Sequence, residues 1–205
     1  MSDKYGVSQD PYCYPQTSVL INLFDLTSEQ ELTAAEVALT SQRLQRFQPD
    51  FEQLTFAYLC QIHHHLFQDL YSWAGQPRTV DISKQDSHFC HARFIAAEAV
   101  KQFDLLKENN FLRHQNPTDF VQGLAQFFCE MNVIHPFREG NGRSLRLFCE
   151  VLALQAGYEL SWQGISQQTW LHANIAGYHG DLAPLVDLFQ RSATAIDGLT
   201  DQLAD

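Results

Sequence analysis

Residues 135–146 of this 205-residue chain read HPFREGNGRSLR, and this stretch decides how the rest of the sequence is interpreted. Pro136 cannot continue a helix, and Gly140 and Gly142 favour a tight turn. Apolar residues recur at three- and four-residue steps before the stretch, at Phe120, Leu124, Phe127, Met131 and Ile134, and again from its end onwards, at Leu145, Phe148 and Leu152. The stretch is therefore predicted to hold a loop that joins two buried helices, the second of which begins at its end.

The glycines of this loop, with Asn141 between them, suit a phosphate-binding role. The first turn of a helix leaves backbone N–H groups without partners inside the helix, and the missing Cβ atoms of Gly140 and Gly142 allow an anion to approach closely. Arg143 and Arg146 are three residues apart on the following helix, where their guanidinium groups can hold successive phosphates. Together these five residues predict a polyphosphate site.

Two further side chains of the loop supply chemistry. Glu139 is its one carboxylate, and Mg²⁺ is commonly held by one or two carboxylates together with phosphate oxygens. His135 titrates near neutrality and can take a proton from an attacking hydroxyl. Each residue also has an ordinary interpretation, His135 as a helix cap and Glu139 as a solvated acid. Their occurrence within twelve residues of two glycines and two arginines favours the functional interpretation.

A Walker P-loop is excluded as an alternative. No Gly-Lys-Ser/Thr sequence follows the glycines, and this loop follows a helical pattern, whereas a P-loop follows a strand. The fold that presents the phosphate site is therefore a different one.

Composition predicts one domain over residues 1–205, with an irregular arm at 1–26, a core at 54–190 and a frayed tail at 197–205. The chain is 45% hydrophobic and 18% charged, which suits a globular core. Its net charge of −11 argues against direct nucleic-acid binding, which needs clustered Lys and Arg. No apolar run of about 18 residues and no leader pattern is present, so we expect a cytoplasmic protein without a membrane span.

Outside the loop, the sequence predicts a helix at 28–47, a second at 54–73, a β-hairpin at 78–90 and a late helix that begins near Asp181. Two histidine groups are not interpreted as metal sites. The consecutive residues His63, His64 and His65 point about 100° apart on a helix. His88, Cys90 and His91 would need a reshaped hairpin end, and the five cysteines, with no Cys-x-x-Cys pair, are expected to be reduced thiols.

The loop matches the Fic motif, H-x-F-x-(D/E)-G-N-G-R-x-x-R, at every specified position. The chain resembles the small single-domain Fic toxins of bacteria, also called cell filamentation proteins. The resemblance extends to residues 71–75, the predicted hairpin, Gly157-Tyr158 and Ser161-Trp162. It implies an all-α fold, a helical bundle with a small β-hairpin flap over the active site.

The same resemblance implies a protein adenylyltransferase that transfers AMP from ATP to a Tyr, Thr or Ser hydroxyl of a target protein. His135 would then be the base, Glu139 the Mg²⁺ ligand and Phe137 the anchor of the loop in the core. The residues named above as a polyphosphate site would hold the phosphates of ATP. The flap would dock the target through Val80, Asp81 and Ile82.

Two alternatives stay open at this stage. One is a related transfer of phosphate, UMP or phosphocholine, although the phosphorylating branch of the family has Lys at the position of Gly142. The other is a catalytically idle nucleotide-binding module, which would be expected if His135 or Glu139 were absent. Both residues are present.

The resemblance also implies partners. Family members that inhibit themselves carry (S/T)-x-x-x-E-(G/N), and this chain has no such sequence. We therefore expect a toxin of a toxin–antitoxin pair, in which a small separate antitoxin supplies a glutamate to Arg146. Relatives of this size modify type II topoisomerases, so DNA gyrase and topoisomerase IV subunits are the first candidate targets.

Overall fold

A computed structural model describes residues 10–84 and 87–196 and shows a helical bundle. The helices are α1 (Glu29–Leu44), α2 (Phe56–Phe67), α3 (Ile95–Glu108), α4 (Pro117–Ile134), α5 (Asn141–Ala156), α6 (Gln167–Tyr178) and α7 (Ala183–Ser192). Strands β1 (Ser83–Lys84) and β2 (Ser87–His88) form an antiparallel hairpin, and β3 (Tyr158–Leu160) pairs with β4 (Ala193–Ala195). The predicted all-α fold with a small hairpin is confirmed.

Helices α4 and α5 form the centre of the bundle. α4 packs against α3, α5, α6 and α7, and α5 packs against α2. Their apolar stripes are fully buried, as at Phe120, Leu124 and Phe148. Burying one such side chain contributes about 1.5 to 3 kcal/mol, so the two helices on either side of the motif loop are firmly anchored in the core.

The arm that precedes α1 holds no helix or strand over its described part, residues 10–28. Its one backbone bridge joins Cys13 to Leu20, and Asn22 ties the chain together by donating to the carbonyls of Leu20 and Leu26. Leu20 and Leu32 belong to the same hydrophobic core as α4 and α5. The core therefore begins before the predicted 54–190. The predicted frayed tail at 197–205 lies outside the described residues.

Several predicted boundaries were wrong. The second helix ends at Phe67 and not near residue 73. The prediction was too long because Leu70 and Trp73 continue the helical spacing, although the chain has already turned there. The first helix ends at Leu44 rather than 47. The hairpin strands cover two residues each, far fewer than 78–90. Helix α6 and the β3–β4 pair were not predicted at all. No helix among the described residues is long and apolar enough to cross a membrane.

Candidate active site

The motif loop is held in shape by its own asparagine. The Asn141 side chain accepts a hydrogen bond from Phe137 N at 2.8 Å and donates one to Phe137 O at 2.7 Å. Asn141 is 6% exposed, so both bonds are shielded from water. The Asn141 side-chain amide thus has partners inside the loop, and its backbone N–H lies in the first turn of α5. Phosphate binding by Asn141 stays a prediction.

A buried histidine supports the loop from below. The His63 ring stacks on Phe137 with 3.9 Å between ring centroids and on Phe67 with 4.7 Å. Its Nε2 lies 2.9 Å from the carbonyl oxygen of Glu139, and its Nδ1 accepts a hydrogen bond from Gly75 N at 2.8 Å. Burial lowers the pKa of His63 to about 4. This neutral ring fixes the backbone at Glu139, and Phe137 lies in the core as its predicted anchor role requires.

The two loop glycines have different reasons to be glycine. Gly140 has φ +80°, and a Cβ there would lie 2.3 Å from the Phe67 ring, so backbone strain and close packing both exclude a side chain. A Cβ on Gly142 would meet nothing within 4 Å. The space beside Gly142 is open, as an approaching anion requires.

His135 ends α4 in the left-handed conformation, with φ 50° and ψ 63°. Its Nδ1 lies 3.1 Å from the carbonyl oxygen of Asn132. A carbonyl only accepts, so Nδ1 carries the hydrogen and Nε2 of the neutral ring carries the lone pair. The ring stacks on Phe89 at 3.9 Å, and burial lowers the pKa of His135 to about 4. The imidazole is therefore unprotonated at neutral pH, the state that a general base needs.

A cavity of about 290 Å³ lies between the loop, the flap and α6. The loop contributes His135, Glu139, Asn141 and Gly142 to its wall. The opposite wall comes from α6 and the flap: Gln167, Trp170, Leu171, Asn174, Ile175 and Tyr178 from α6, and Lys84, Ser87 and Phe89 from the flap. Four of the predicted site residues therefore surround one cavity.

Glu139 and Asn174 are polar residues on opposite walls of this cavity. The Glu139 carboxylate accepts a hydrogen bond from Gly140 N at 3.0 Å, so the Gly140 amide is engaged by the preceding side chain. On the opposite wall, Asn174 donates to Trp170 O at 2.7 Å. The Oδ1 atom of Asn174 is buried and has no hydrogen-bond partner within the described ranges 10–84 and 87–196. A buried acceptor without a partner is costly unless a ligand satisfies it.

The predicted phosphate arginines lie beside the cavity. Neither Arg143 nor Arg146 is among the described residues that line this cavity. Arg143 pairs with Glu36 of α1 and lies over the Phe67 ring, 4.7 Å from the ring centroid. Arg146 lies over the Trp170 ring at 5.2 Å and lines a second cavity of about 240 Å³, which shares Gln167 and Trp170 with the first. Burial lowers the pKa of Arg146.

The three residues predicted to dock a target lie at the base of the flap, before β1. Ile82 is buried, and the Val80 carbonyl accepts a hydrogen bond from Arg78 at 2.6 Å. The Asp81 carboxylate accepts one from Ala92 N at 2.7 Å. These contacts build the flap into the domain, and target docking by Val80, Asp81 and Ile82 stays a prediction.

Arg78 joins the flap to the catalytic loop. Its buried guanidinium donates to the carbonyls of His135 at 2.9 Å, Cys90 at 2.5 Å and Ile134 at 3.2 Å, besides that of Val80. The far side of the flap is attached to α6, because the Tyr178 hydroxyl accepts from His88 N at 2.9 Å and donates to His88 O at 3.1 Å. The flap is thus fixed at its base by an arginine and at its edge by one tyrosine.

This geometry agrees with what the chain resembles among known proteins. Residues 53–153 match the model of the Fic/DOC family. The chain is 42% identical over 192 residues to the "Probable protein adenylyltransferase Fic" of Salmonella typhimurium, and the match covers 94% of this chain and 96% of that protein. The chain belongs to the Fic/DOC family. The Escherichia coli protein of the same name is 40% identical and matches 93% of this chain and 96% of its own length.

Solved structures of Fic domains share the fold. The N-terminal Fic domain of a putative cell filamentation protein from Bartonella quintana, with bound ADP, has a TM-score of 0.85 and 27% identity, covering 92% of this chain and 96% of that one. The BepC protein of Bartonella tribocorum, with bound AMPPNP, has a TM-score of 0.83 and 25% identity, covering 90% and 96%. Both of these structures hold an adenine nucleotide.

Sequence reasoning missed four contributors to the site: Glu36, His63 as a loop support, Arg78 and the α6 wall. His63 had a signal, because it lies beside Ile62 on the apolar stripe of α2, and three consecutive helix residues point in directions too different for all of them to face the core. His64 is exposed and His65 is half-buried. Helix α6 also had a signal, since Trp170, Ala173 and Gly177 are spaced like one helical face.

Proposed function

We propose that this Fic protein is a protein adenylyltransferase, which transfers AMP from ATP to a Tyr, Thr or Ser hydroxyl of another protein. The observation that carries the proposal is the single cavity in which a neutral His135, the Glu139 carboxylate and the first turn of α5 meet an apolar wall on α6. The relatives named "Probable protein adenylyltransferase Fic", at 42% and 40% identity, support the same activity.

The α6 wall fits an adenine base. Leu171 and Ile175 line the cavity and offer apolar contact to a flat ring. The similar structures that hold ADP and AMPPNP support an adenine nucleotide. We therefore assign ATP as the nucleotide donor.

The loop side of the cavity fits the phosphates. α5 begins without a side-chain cap, so its first N–H groups and its dipole favour an anion beside the open space at Gly142. Glu139 would hold Mg²⁺, which when bound neutralises charge on the phosphate oxygens. We assign the β- and γ-phosphates to Arg143 and Arg146, which flank the cavity and have donors suited to phosphate.

The chemical step follows from the tautomer of His135. Nε2 accepts the proton of the target hydroxyl, and the hydroxyl oxygen forms a bond to the α-phosphorus of ATP. The bond from that phosphorus to the bridging oxygen breaks, and pyrophosphate leaves with the electron pair. Positioning by the loop and stabilisation of the developing charge by the N-terminus of α5 account for the acceleration.

The test is transfer of label to protein in a cell lysate, with ATP labelled at the α- or the γ-phosphate. We expect label from the α-position only, and a loss of about 10²- to 10⁴-fold in His135→Ala, as is typical when a general base is removed. Label from the γ-position would instead identify a phosphotransferase. Equal labelling by wild type and His135→Ala would exclude catalysis by this histidine.

Regulation, targets and location are further parts of the proposal. A small antitoxin that places a glutamate against Arg146 fits the guanidinium, which burial leaves poorly solvated beside Trp170. DNA gyrase and topoisomerase IV subunits are the proposed targets, docked along the flap at Val80, Asp81 and Ile82, in the cytoplasm. Labelling of purified gyrase subunits, with and without a candidate antitoxin, tests the first two points.

A further inference from the structure

Helix α1 carries an acidic residue in the middle of its buried face. Leu32, Glu36 and Thr40 are four residues apart and form one stripe, and Leu32 and Thr40 are both 7% exposed. The Glu36 side chain is 14% exposed. Burying a carboxylate is costly unless charged or hydrogen-bonding partners compensate, so the contacts of Glu36 indicate what it does.

Each oxygen of Glu36 has a different partner. Oε1 accepts a hydrogen bond from Arg143 Nη2, and Oε2 accepts one from the Tyr71 hydroxyl at 2.7 Å. Burial, reinforced by the negative charge of Glu36, raises the pKa of Tyr71. The phenol therefore stays protonated and keeps donating. Tyr71 is itself fixed by stacking on Trp73 at 4.4 Å between ring centroids, so Glu36 has a single well-defined orientation.

Arg143 is held on three sides as a result. Glu36 binds Nη2, the Phe67 ring lies under the guanidinium at 4.7 Å, and Glu139 Oε1 is 4.0 Å from the same Nη2. Phe67 is also the ring that Gly140 packs against. An arginine that is 30% exposed would otherwise sample several rotamers, and binding would have to remove that freedom.

We propose that Glu36 is a positioning residue, which fixes the guanidinium of Arg143 beside Glu139 and so extends the nucleotide site to α1. α1 lies before residues 53–153, the part of the chain that matches the family model. The inference rests on the proposed function, in which Arg143 contacts the β- and γ-phosphates of ATP. Glu36 acts through Arg143 and touches no reacting atom.

The effect of Glu36 should depend on which phosphates the ligand carries. Glu36→Gln removes the charge that holds Arg143, and we expect ATP affinity to fall about 10- to 100-fold, as misplaced binding groups typically cause. AMP has no β- or γ-phosphate, so its affinity should change less than twofold. A merely structural role of Glu36 would weaken both ligands equally. Calorimetric titration of the full chain with ATP and with AMP measures the difference.

The matched control is Asp69→Asn. Asp69 pairs with Arg43 and ties the same helix α1 to the turn after α2, away from the loop. The substitution Asp69→Asn should leave the affinities for ATP and AMP unchanged. Glu36→Asp is the second variant in case Glu36→Gln does not fold, because it keeps the charge but withdraws the carboxylate from Arg143. We expect it to weaken ATP binding selectively as well.

A double-variant cycle tests whether Glu36 acts through Arg143. In the Arg143→Ala background, Glu36→Gln should cause no further loss of ATP affinity. Additive losses, unchanged ATP binding in both Glu36 variants, or tighter ATP binding would each overturn the inference. If the wild type binds ATP and transfers its α-phosphate, and the Glu36 variants bind ATP equally well, this inference alone is rejected. Wild type that binds no ATP would reject the proposed function itself.

Discussion

The motif loop and the flap face each other across one cavity, yet they are built in opposite ways. In the loop, Asn141 binds both backbone groups of Phe137, and Arg138 forms a buried ion pair with Asp10 in which both side chains are 2% exposed. The flap has strands of two residues, and its outer edge is attached through one Tyr178 hydroxyl. Most of the loop is inaccessible to water, whereas much of the flap is exposed.

This difference matches the tasks that the two regions have in the proposed reaction. The loop must present His135 and Glu139 to the same phosphate in every turnover, and preorganised groups are the ones that accelerate a reaction. The flap must accept a protein segment, and a short strand edge with few tertiary contacts adapts at small cost. Changes in the loop should therefore cost stability, and changes in the flap should mainly alter its motion.

The largest effect is expected at the ion pair beneath the loop. Asp10→Ala removes the carboxylate that pairs with the buried Arg138, and breaking a buried pair typically costs about 3 to 5 kcal/mol. Asp187→Ala is the control, because the Arg191–Asp187 pair is more than half exposed, at 63% and 64%, and such pairs contribute about 0 to 1 kcal/mol. Urea unfolding of both variants measures the difference. Equal losses of unfolding free energy would mean that the buried ion pair beneath the loop stabilises the fold no more than the exposed pair does.

The next effect is a pH dependence that originates at His63. Burial lowers its pKa from 6.5 to about 4, and Gly75 N donates to Nδ1, the atom that would have to take the second proton. The unfolded chain binds that proton first, so stability is complete above about pH 6.5 and is lost as pH falls towards about 4. The difference corresponds to about 3 kcal/mol.

Unfolding free energies at pH 7.5, 5.5 and 4.5 test this, with His63→Gln compared with His64→Gln. His63→Gln should reduce the loss of unfolding free energy between pH 6.5 and 4. Part of that loss should remain, because the pKa of His135 is also lowered to about 4. His64 is exposed, so its replacement should leave the pH dependence intact. The same slope in both variants would contradict the assignment.

The smallest stability effect is expected in the flap. Tyr178→Phe removes both hydrogen bonds to His88, and at this partly exposed position the cost should be about 1 kcal/mol or less. Amide hydrogen exchange should rise at His88 and stay unchanged at residues 137–141. Tyr158→Phe, which loses a bond to Gln115 O away from the flap, should leave His88 exchange unaltered. Unchanged exchange at His88 in Tyr178→Phe would show that the tyrosine does not restrain the flap.

The sequence predicted what is local. The loop at 135–146, the helices on both sides of it and the general form of the flap depend on neighbouring residues at fixed spacing. The predicted end of α2 was wrong, because Leu70 and Trp73 pack inward after the turn and their spacing imitates helical periodicity. The pairing of Glu36 with Arg143 spans 107 positions and is set by how α1 packs. No residue near either partner indicates it.

The ion pair between Asp10 and Arg138 also orders events during synthesis. Its partners are 128 positions apart, so the carboxylate leaves the ribosome well before the guanidinium. Translation proceeds at about 5 to 20 residues per second, and for that interval the nascent chain carries an incomplete loop. A chain that ends before residue 138 lacks the guanidinium partner of Asp10, so its loop has not been assembled.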